Sequence, residues 1–288
     1  MNSTAQPTGP RRNSSGLGRD LDLLDALASP ASLRGGGLGV SQAAQIVGRD
    51  KAAVSRALAT LADSGLIARD ETTLQYFLGS RLYALAAHTA QAALAQASRS
   101  HLRRLTQLTR ETSHLCVLQG GNVLTILSEL SPLEIRTTGW AGSTTAAWRT
   151  PSGRVLLSDW DESSLTSWYE AHGQDRALVG PLNPEADPFG FPVLPEPGPG
   201  ASPITDFSSL MLELRAIRDR GYATSDQELE SGVVAASSPV VDFTGRIVAA
   251  VNVSAPKARI GDRLDILGEY TSKTARELSR QLGSPLHA

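Results

Sequence analysis

The sequence has little of three features that would assign a protein to a class at once. Among its 288 residues there is one cysteine, Cys116, so no intrachain disulfide can form, which fits a reducing cytosol. The formal net charge is only -2, so any attraction to nucleic acid has to come from a local patch. No apolar run approaches the ~18 residues that a membrane helix needs. We therefore expect a cytoplasmic protein with no membrane partner.

Motifs for catalysis are also scarce. The five histidines show no metal-ligand spacing, no phosphate-cradling glycine loop precedes a Lys-Ser or Lys-Thr pair, and no cofactor is expected. His114 and Cys116 lie two residues apart, which on a strand places both on one face as a conceivable thiol–imidazole nucleophile. The alternative is that Cys116 belongs to the core, as lone apolar cysteines commonly do. We expect the chain not to be an enzyme, with a Cys116-dependent enzyme as the competing hypothesis.

Length and composition predict about two folded domains. Hydrophobic residues make up 41% of the chain, enough for real cores. Residues 1–18 are rich in Ser, Gly and Pro and predict a disordered tail, and residues 180–203 contain eight prolines, which predict a surface insertion without regular structure. The remaining segments are predicted to be a DNA-binding domain, a linker helix and a second domain, over residues 19–79, 80–98 and 99–284.

The region 41–78 has the pattern of two helices and a hairpin. After a glycine-rich loop at 31–39, Ser41 is expected to cap a short helix that stops at Gly48, and Asp50 to cap a longer one. The longer helix carries Val54, Leu58 and Leu61 at i, i+4 and i+7, so these face inward. A polar-tipped hairpin follows over 66–78. Two helices joined by a tight turn and followed by a hairpin indicate a winged helix-turn-helix.

The side chains left facing outward suit DNA. Arg and Lys bond guanine edges or phosphates, and Ser and Thr suit phosphates. Up to residue 78 there are eight basic against seven acidic residues, so the signal lies in placement. The alternative is a three-helix module that binds protein. The predicted DNA contacts are Arg49, Lys51, Ser55, Arg56, Thr60, Arg69 and Thr73.

From residue 80 the pattern becomes that of a long Ala-rich helix with a break near Ser98–Ser100. Its apolar stripe favours a dimer seam, and the alternative is packing on its own second domain. Beyond it, a hairpin with a Gly120–Gly121 turn, several further strands and interspersed helices indicate an α+β domain with an antiparallel sheet.

An ordered set of motifs carries a resemblance. The motifs are Val54-Ser55-Arg56, Tyr76-Phe77-Leu78-Gly79, Gly221-Tyr222-Ala223 with Asp226, Glu228 and Gly232, Pro239-Val240, and the run 245–250 with Val253-Ser254. Over about residues 20–282 they resemble the IclR-type bacterial transcriptional regulators. The resemblance implies a winged helix-turn-helix and a GAF-like effector-binding domain, with assembly as a homodimer or homotetramer. It also implies a double-stranded DNA operator whose occupancy is modulated by a small organic or aromatic acid. The alternative is a second domain that serves only for oligomerisation.

The resemblance further implies where an effector would bind. The residues implied are Trp148, Thr150, Ser152, Gly153, Ser225, Asp226, Ala235, Asn252 and Ser254. Physically, hydroxyls and free N–H groups at a helix start make an anion site, and two residues spaced by two on a strand share a face. The sequence departs from the family at Trp148, where a His is usual, at Ala235, often Cys, and at Ala52 and Ala53, commonly Ser and Thr.

Overall fold

The computed structural model describes residues 16–137, 141–142, 144–175, 178–179 and 200–285. These fall into two compact units, one ending at Ala86 and the other beginning at Ala87. The division lies inside the range predicted for the linker. Each unit has its own hydrophobic core. None of the described helices is long and apolar enough to cross a membrane.

The first unit is a helical bundle with a two-stranded hairpin. Its elements are α1 (Gly16–Ala28), α2 (Pro30–Gly35), α3 (Val40–Val47), α4 (Lys51–Asp63), β1 (Ile67–Arg69), β2 (Tyr76–Leu78) and α5 (Ser80–Ala86). The hairpin is antiparallel, with Ile67 opposite Leu78, and Leu38 adds an isolated bridge to Tyr76. Side chains of α1, α3, α4 and the hairpin form one core around Leu23, Leu27 and Leu58, each at most 1% exposed.

The helix-turn-helix pattern is confirmed, and its caps explain its turns. The carboxylate of Asp50 accepts from the N–H of Ala53 at 3.0 Å and starts α4, while Gly48 ends α3 with a φ of 63° that favours glycine. The expected cap at Ser41 is wrong, because the N-cap of α3 is Gly39, two residues earlier in the chain. The expected loop over 31–39 is also wrong in its first half: Ser29 caps α2, and Pro30 supplies the preset φ of a first helical turn.

Two other boundaries differ from the sequence prediction. Residues 16–18 of the predicted tail are the first turn of α1, which Arg49 holds by donating to the carbonyl of Arg19 at 2.8 Å. The rest of the tail, residues 1–15, lies outside the described residues. A linker helix over 80–98 is wrong as one piece, since α5 ends at Ala86 and Thr89 caps a new helix. The expected break near Ser98–Ser100 is also wrong, since this helix runs without interruption from Ala90 to Thr109. The Ser98 hydroxyl donates to the carbonyl of Leu94 within it.

The second unit is α+β, as predicted, and contains a seven-stranded sheet. Its helices are α6 (Ala90–Thr109), α7 (Pro151–Leu157), α8 (Glu162–His172), α9 (Phe207–Arg220), α10 (Lys257–Ile260) and α11 (Leu264–Gln281). Its strands are β3 (Thr112–Gln119), β4 (Asn122–Glu129), β5 (Thr144–Ala146), β6 (Leu178–Val179), β7 (Ala223–Asp226), β8 (Val233–Val241) and β9 (Ile247–Pro256).

The sheet order is β6-β5-β4-β3-β9-β8-β7, and every neighbouring pair is antiparallel. Because successive side chains alternate between faces, the sheet has two different sides. Leu115 packs with Leu102, Leu105 and Leu278 of α6 and α11. Cys116, the next residue, packs with side chains of α7, α8 and α9. The predicted insertion is described only from Gly200 onward, so most of it lies outside the described residues.

Candidate functional site

The recognition surface of the first unit is the outer face of α4. Lys51, Ser55, Arg56 and Thr60 are all exposed, while Val54 and Leu58 between them are fully buried. The 3.6-residue period therefore separates an inner apolar face from an outer polar one. The hydroxyl of Thr60 donates to the carbonyl of Arg56 at 3.1 Å, and the Arg56 side chain is exposed.

Arg49 is placed differently from the other predicted contacts. Its guanidinium turns toward α1, where it donates to the carbonyl of Arg19 and lies 3.8 Å from the carboxylate of Asp20. Its side chain is only 20% exposed. Arg49 therefore braces α1 against the start of α4 rather than projecting freely with Lys51.

The hairpin tip has its own internal order. The carboxylate of Asp70 accepts from the N–H groups of Thr72 and Thr73 and from the Thr73 hydroxyl, at 2.7–3.0 Å. The bonds from Thr73 are the largest cause that lowers the pKa of Asp70. Arg69 is exposed at the same end, with its guanidinium 5.5 Å from the Tyr76 ring centre. The tip thus presents the Arg69 cation next to a turn whose Asp70 carboxylate stays ionised and is satisfied by hydrogen bonds within the turn.

The second unit contains a polar cavity of about 90 Å³ on the α7 side of its sheet. Strands β3, β9, β8 and β7 supply its floor, since their register places His114 opposite Asn252, Ser254 opposite Ala235, and Ala235 opposite Ser225. The start of α7 supplies another wall. Six of the nine predicted effector residues line this cavity: Thr150, Ser152, Ser225, Ala235, Asn252 and Ser254.

The structure places the other three predicted residues elsewhere. Trp148 is buried in the core cluster, with its ring 4.3 Å from the Arg149 guanidinium. Gly153 lies inside α7, where a Cβ would collide with the backbone of Ala147, so its role there is close packing. Asp226 is exposed and pairs with Lys257 at 2.8 Å, because it is the strand neighbour of Ser225 and points to the opposite side.

Several lining residues were not predicted as ligand contacts. Thr137 lies 117 positions before Ser254 in the chain, yet their hydroxyls are 2.8 Å apart. His114 was considered only for catalysis. Because His114 lies two residues from Cys116 on a strand, the sequence indicates that both face the same side of the sheet, which is the cavity side. No sequence pattern indicates that Thr137 lines the cavity. The other lining residues that were not predicted are Cys116, Val123, Thr125, Thr145, Pro151, Leu229, Glu230 and Val233.

His114 is a buried member of a hydroxyl network. It is 2% exposed, its Nδ1 lies 2.9 Å from the Ser128 hydroxyl, and its Nε2 lies 2.9 Å from the Ser254 hydroxyl. Burial lowers the pKa of His114 to about 4, because the imidazolium loses its hydration. The imidazole is therefore neutral at physiological pH.

This arrangement does not activate Cys116 as a nucleophile. Both ring nitrogens of His114 are occupied by serine hydroxyls, and the thiol lies 3.7 Å from the hydroxyl of Thr125. Burial raises the pKa of the Cys116 thiol, so the reactive thiolate is suppressed. The pair lacks the base-to-nucleophile contact that covalent catalysis requires.

Asn252 differs from the other polar residues of the cavity wall. Its side chain is 8% exposed, and its Oδ1 has no hydrogen-bond partner among the described residues. An unpaired buried polar atom costs roughly 1–3 kcal/mol. Asn252 lines the cavity, and its Oδ1 is an unused hydrogen-bond acceptor there.

A buried ion pair between Arg154 and Glu228 holds α7, the helix whose start forms one wall of the cavity. Arg154 of α7 is 1% exposed and donates to both carboxylate oxygens of Glu228, to the Trp148 carbonyl at 3.0 Å and to the Ser202 hydroxyl at 3.2 Å. Thr150, which caps α7, accepts from the N–H of Gly153 at 3.2 Å. These contacts fix the start of α7 relative to the loop that carries Glu230.

Comparison with known proteins agrees with both units. The profile described as IclR helix-turn-helix domain matches residues 16–71, and the profile described as bacterial transcriptional regulator IclR C-terminal matches residues 86–178 and 200–280. The HTH-type transcriptional regulator BhcR of Paracoccus denitrificans is 29% identical over 265 residues, covering 91% of this chain and 85% of its own. The p-hydroxybenzoate hydroxylase transcriptional activator of Acinetobacter baylyi is 27% identical, covering 91% and 90%.

Solved structures show the same fold. An IclR homologue from Microbacterium hydrocarbonoxydans, crystallised with 4-hydroxybenzoate, superposes with a TM-score of 0.73 at 19% identity, covering 93% of this chain and 99% of that one. The Thermotoga maritima IclR structure gives a TM-score of 0.67 at 22% identity, covering 93% and 98%. With the two matched profiles, these findings show that the chain belongs to the IclR family of bacterial transcriptional regulators and is a DNA-binding regulator of that family.

Proposed function

We propose that this regulator changes its affinity for a double-stranded DNA operator when a small organic or aromatic acid occupies the cavity of its second unit. The observation that carries the proposal is the unpaired Oδ1 of Asn252, set in a cavity lined by hydroxyl groups. An acid that also carries a hydroxyl group, such as 4-hydroxybenzoate, can donate that hydroxyl to this oxygen and recover the cost of burying it. A domain used only for oligomerisation has no need of such a cavity.

The relatives support an acid as the ligand class. One relative activates transcription of p-hydroxybenzoate hydroxylase, and one structural neighbour was crystallised with 4-hydroxybenzoate. Thr150 and Ser152 supply hydroxyls to one wall, and Ser254 supplies another from β9. These hydroxyls are suitable donors to carboxylate oxygens.

For DNA, we propose that the outer face of α4 reads the major groove. Lys51, Ser55, Arg56 and Thr60 are the contacts on this helix, with Arg69 and Thr73 of the hairpin tip near the phosphate backbone. A homodimer or homotetramer in the cytoplasm would place two such helices about 34 Å apart on a pseudo-palindromic site. The exposed side chains of α4 support this assignment, and Arg49 contributes indirectly by holding α1.

A continuous hydrogen-bond path supports communication between the cavity and α6. The Ser254 hydroxyl lies 2.8 Å from that of Thr137, whose carbonyl accepts from Thr112 at 3.1 Å. The hydroxyl of Thr112 accepts from the N–H of Ser131 at 3.2 Å, and the Ser131 hydroxyl donates to the carbonyl of Arg110 at 2.6 Å. Arg110 is the C-cap of α6. A ligand that moves Ser254 therefore acts on the C-terminal end of α6. This helix is the first of the second unit and follows the DNA-binding unit in the chain.

The test is Asn252→Leu in the full-length protein. Butyrate, benzoate and 4-hydroxybenzoate are added while affinity is measured for a duplex selected from random DNA. An acid that acts through the cavity should change wild-type affinity about 5- to 150-fold, the usual range of allosteric coupling. Asn252→Leu should remove this response and leave ligand-free DNA binding unchanged.

Asn122→Leu is the matched control for this experiment. Its Oδ1 is also buried without a partner, but Asn122 lies on β4 and does not line the cavity. This variant should respond to the acid as the wild type does. An acid response that survives in Asn252→Leu would place the effector elsewhere.

A further inference from the structure

The cavity has an unusual charge balance for a site that takes an acid. Its lining contains hydroxyls, an amide, a thiol, an imidazole and the carboxylate of Glu230, and no lysine or arginine is among the described residues that line it. A carboxylate that enters such a space loses its hydration without gaining a fixed positive partner. Burial of an uncompensated charge is strongly unfavourable, and titration of a neighbouring group relieves it. Among the described residues that line this cavity, the positive charge can therefore come only from a group that acquires a proton.

His114 is the lining group able to acquire this charge. We infer that a carboxylate ligand of this cavity binds together with one proton, which His114 takes up and transmits as a hydrogen bond through the hydroxyl of Ser254. The inference rests on the function proposed above. It identifies the residue that compensates the ligand's negative charge. Because one imidazole takes up one proton, it also predicts that the cavity binds acids with a single negative charge.

The hydroxyl network shows how the charge reaches the ligand. In neutral His114 one ring nitrogen donates and the other accepts, so one of Ser128 and Ser254 gives its hydrogen to the ring. When the ring takes a proton from solvent, both nitrogens donate. Ser254 then accepts from Nε2. With the Thr137 hydroxyl 2.8 Å away as a second donor to Ser254, the Ser254 hydrogen turns to a carboxylate oxygen in the cavity that it lines. The N–H bond formed with the incoming proton is the only covalent change in this step.

Burial keeps the imidazole of His114 unprotonated when no ligand is bound. The pKa of His114 in the free protein is about 4, so the ring is uncharged at neutral pH. An anion one hydroxyl away favours the imidazolium and raises the pKa of His114 again. Between these two pKa values, each bound ligand brings one proton, and the association constant falls about tenfold per unit rise in pH.

Other titratable and charged groups surround this site and define the controls. Cys116 lies on the same strand, and burial raises the pKa of its thiol, so it stays protonated. Glu230 enters from the loop before β8, and Arg136 lines an adjoining outer cavity of about 150 Å³ that shares Thr137, Glu230 and Val233. Two nearby ion pairs, Glu111–Arg259 at 2.7 Å and Asp226–Lys257 at 2.8 Å, are already compensated. Glu230 is the competitor, because two carboxylates close together also hold a proton between them.

The experiment is calorimetric titration of the full-length protein with butyrate, benzoate and 4-hydroxybenzoate. Each titration is done at one pH in buffers of different ionisation enthalpy, which yields the number of protons taken up. The wild type should take up about one proton per acid at pH 7, and none with the corresponding amides. Glu230→Gln should keep this uptake. His114→Gln should reduce it to zero and flatten the pH dependence of the association constant.

The outcomes separate this inference from the proposed function. If none of the acids binds in a way that Asn252→Leu abolishes, both the proposed function and the role of His114 are wrong. Binding that depends on Asn252 but takes up no proton overturns the role of His114 alone, as does uptake that disappears in Glu230→Gln and persists in His114→Gln. Because His114→Gln risks misfolding, a second measurement uses wild-type protein with carbon-13 in its histidine rings. One imidazole should move from the neutral to the protonated chemical shift on addition of the acid at pH 7.

Discussion

The DNA-reading face of α4 and the cavity of the second unit use polar side chains in opposite ways. The outer face of a single helix exposes Lys51, Ser55 and Arg56 to solvent. Asn252, Ser254 and His114 are buried, and they meet across strands that are distant in sequence. An exposed polar residue contributes little to folding, whereas a buried one lowers the stability of the fold unless it has partners. Changes to the first region should therefore weaken binding, and changes to the second should weaken the fold as well.

The largest expected effect is that of Arg154→Ala. It leaves the buried carboxylate of Glu228 without its partner, and removal of one member of a buried pair typically costs about 3–5 kcal/mol of the unfolding free energy. Urea unfolding followed by tryptophan fluorescence measures it, since all four tryptophans follow residue 86. Arg220→Ala is the matched control, because its pair with Glu213 is partly exposed and should contribute about 0–1 kcal/mol. Similar losses in both variants would contradict the contrast between buried and exposed groups.

The second largest expected effect is a dependence of the stability of the second unit on pH. Burial lowers the pKa of His114 from 6.5 to about 4, so between these values the unfolded chain binds a proton that the folded chain does not. Stability of the second unit should therefore fall as the pH decreases from about 6.5 to about 4, by an amount on the order of 3 kcal/mol, and then level off.

The comparison for this effect is with His114→Gln, which should lose this part of the pH dependence in urea unfolding series. His101→Gln controls for the loss of a histidine as such, since His101 bonds Gln281 on the surface at 2.7 Å. Parallel pH profiles for wild type and His114→Gln would show that the imidazole titrates normally.

A smaller effect is expected at the DNA-reading face. Arg56→Ala should weaken operator binding by roughly 1–3 kcal/mol if the guanidinium reads a base, with no change in unfolding free energy or acid binding. Arg49→Ala should weaken operator binding less, because Arg49 is engaged with Arg19 and Asp20 of α1. Fluorescence anisotropy with a labelled duplex measures both. Equal losses would mean that Arg49 leaves α1 to contact DNA.

The two regions also differed in how far the sequence predicted them. The α4 face follows from one helical period and one cap at Asp50, both local signals, and the structure confirms which side chains are outward. Only the direction of Arg49 was missed, because its partners lie 29 and 30 positions earlier in the chain. The caps at Thr150 and Asp206 are local signals of the same kind, since each side chain accepts from the N–H three residues later.

The cavity depended on tertiary structure, and the sequence predicted it in part. Thr150, Ser152, Asn252 and Ser254 were identified through the family resemblance and through spacing on a strand. Asp226 was included with Ser225, although β7 sends neighbouring residues to opposite sides. Thr137 was missed because its contact with Ser254 depends on packing between segments 117 positions apart, which no periodicity encodes.

The contacts of Ser202 have a consequence for how this protein can change over time. Ser202 is held by Arg154 and Glu228, Ile204 beside it is buried, and the strand Leu178–Val179 is paired with β5. The IclR C-terminal profile matches residues 86–178 and 200–280, so both borders of the gap in its match are fastened, one to the sheet and the other to the Arg154 side chain of α7. Since each doubling of a loop costs only about 0.6 kcal/mol, we expect members of the family to differ in length between these two borders. The pairing of Leu178–Val179 with β5 and the contacts of Ser202 should be retained in all of them.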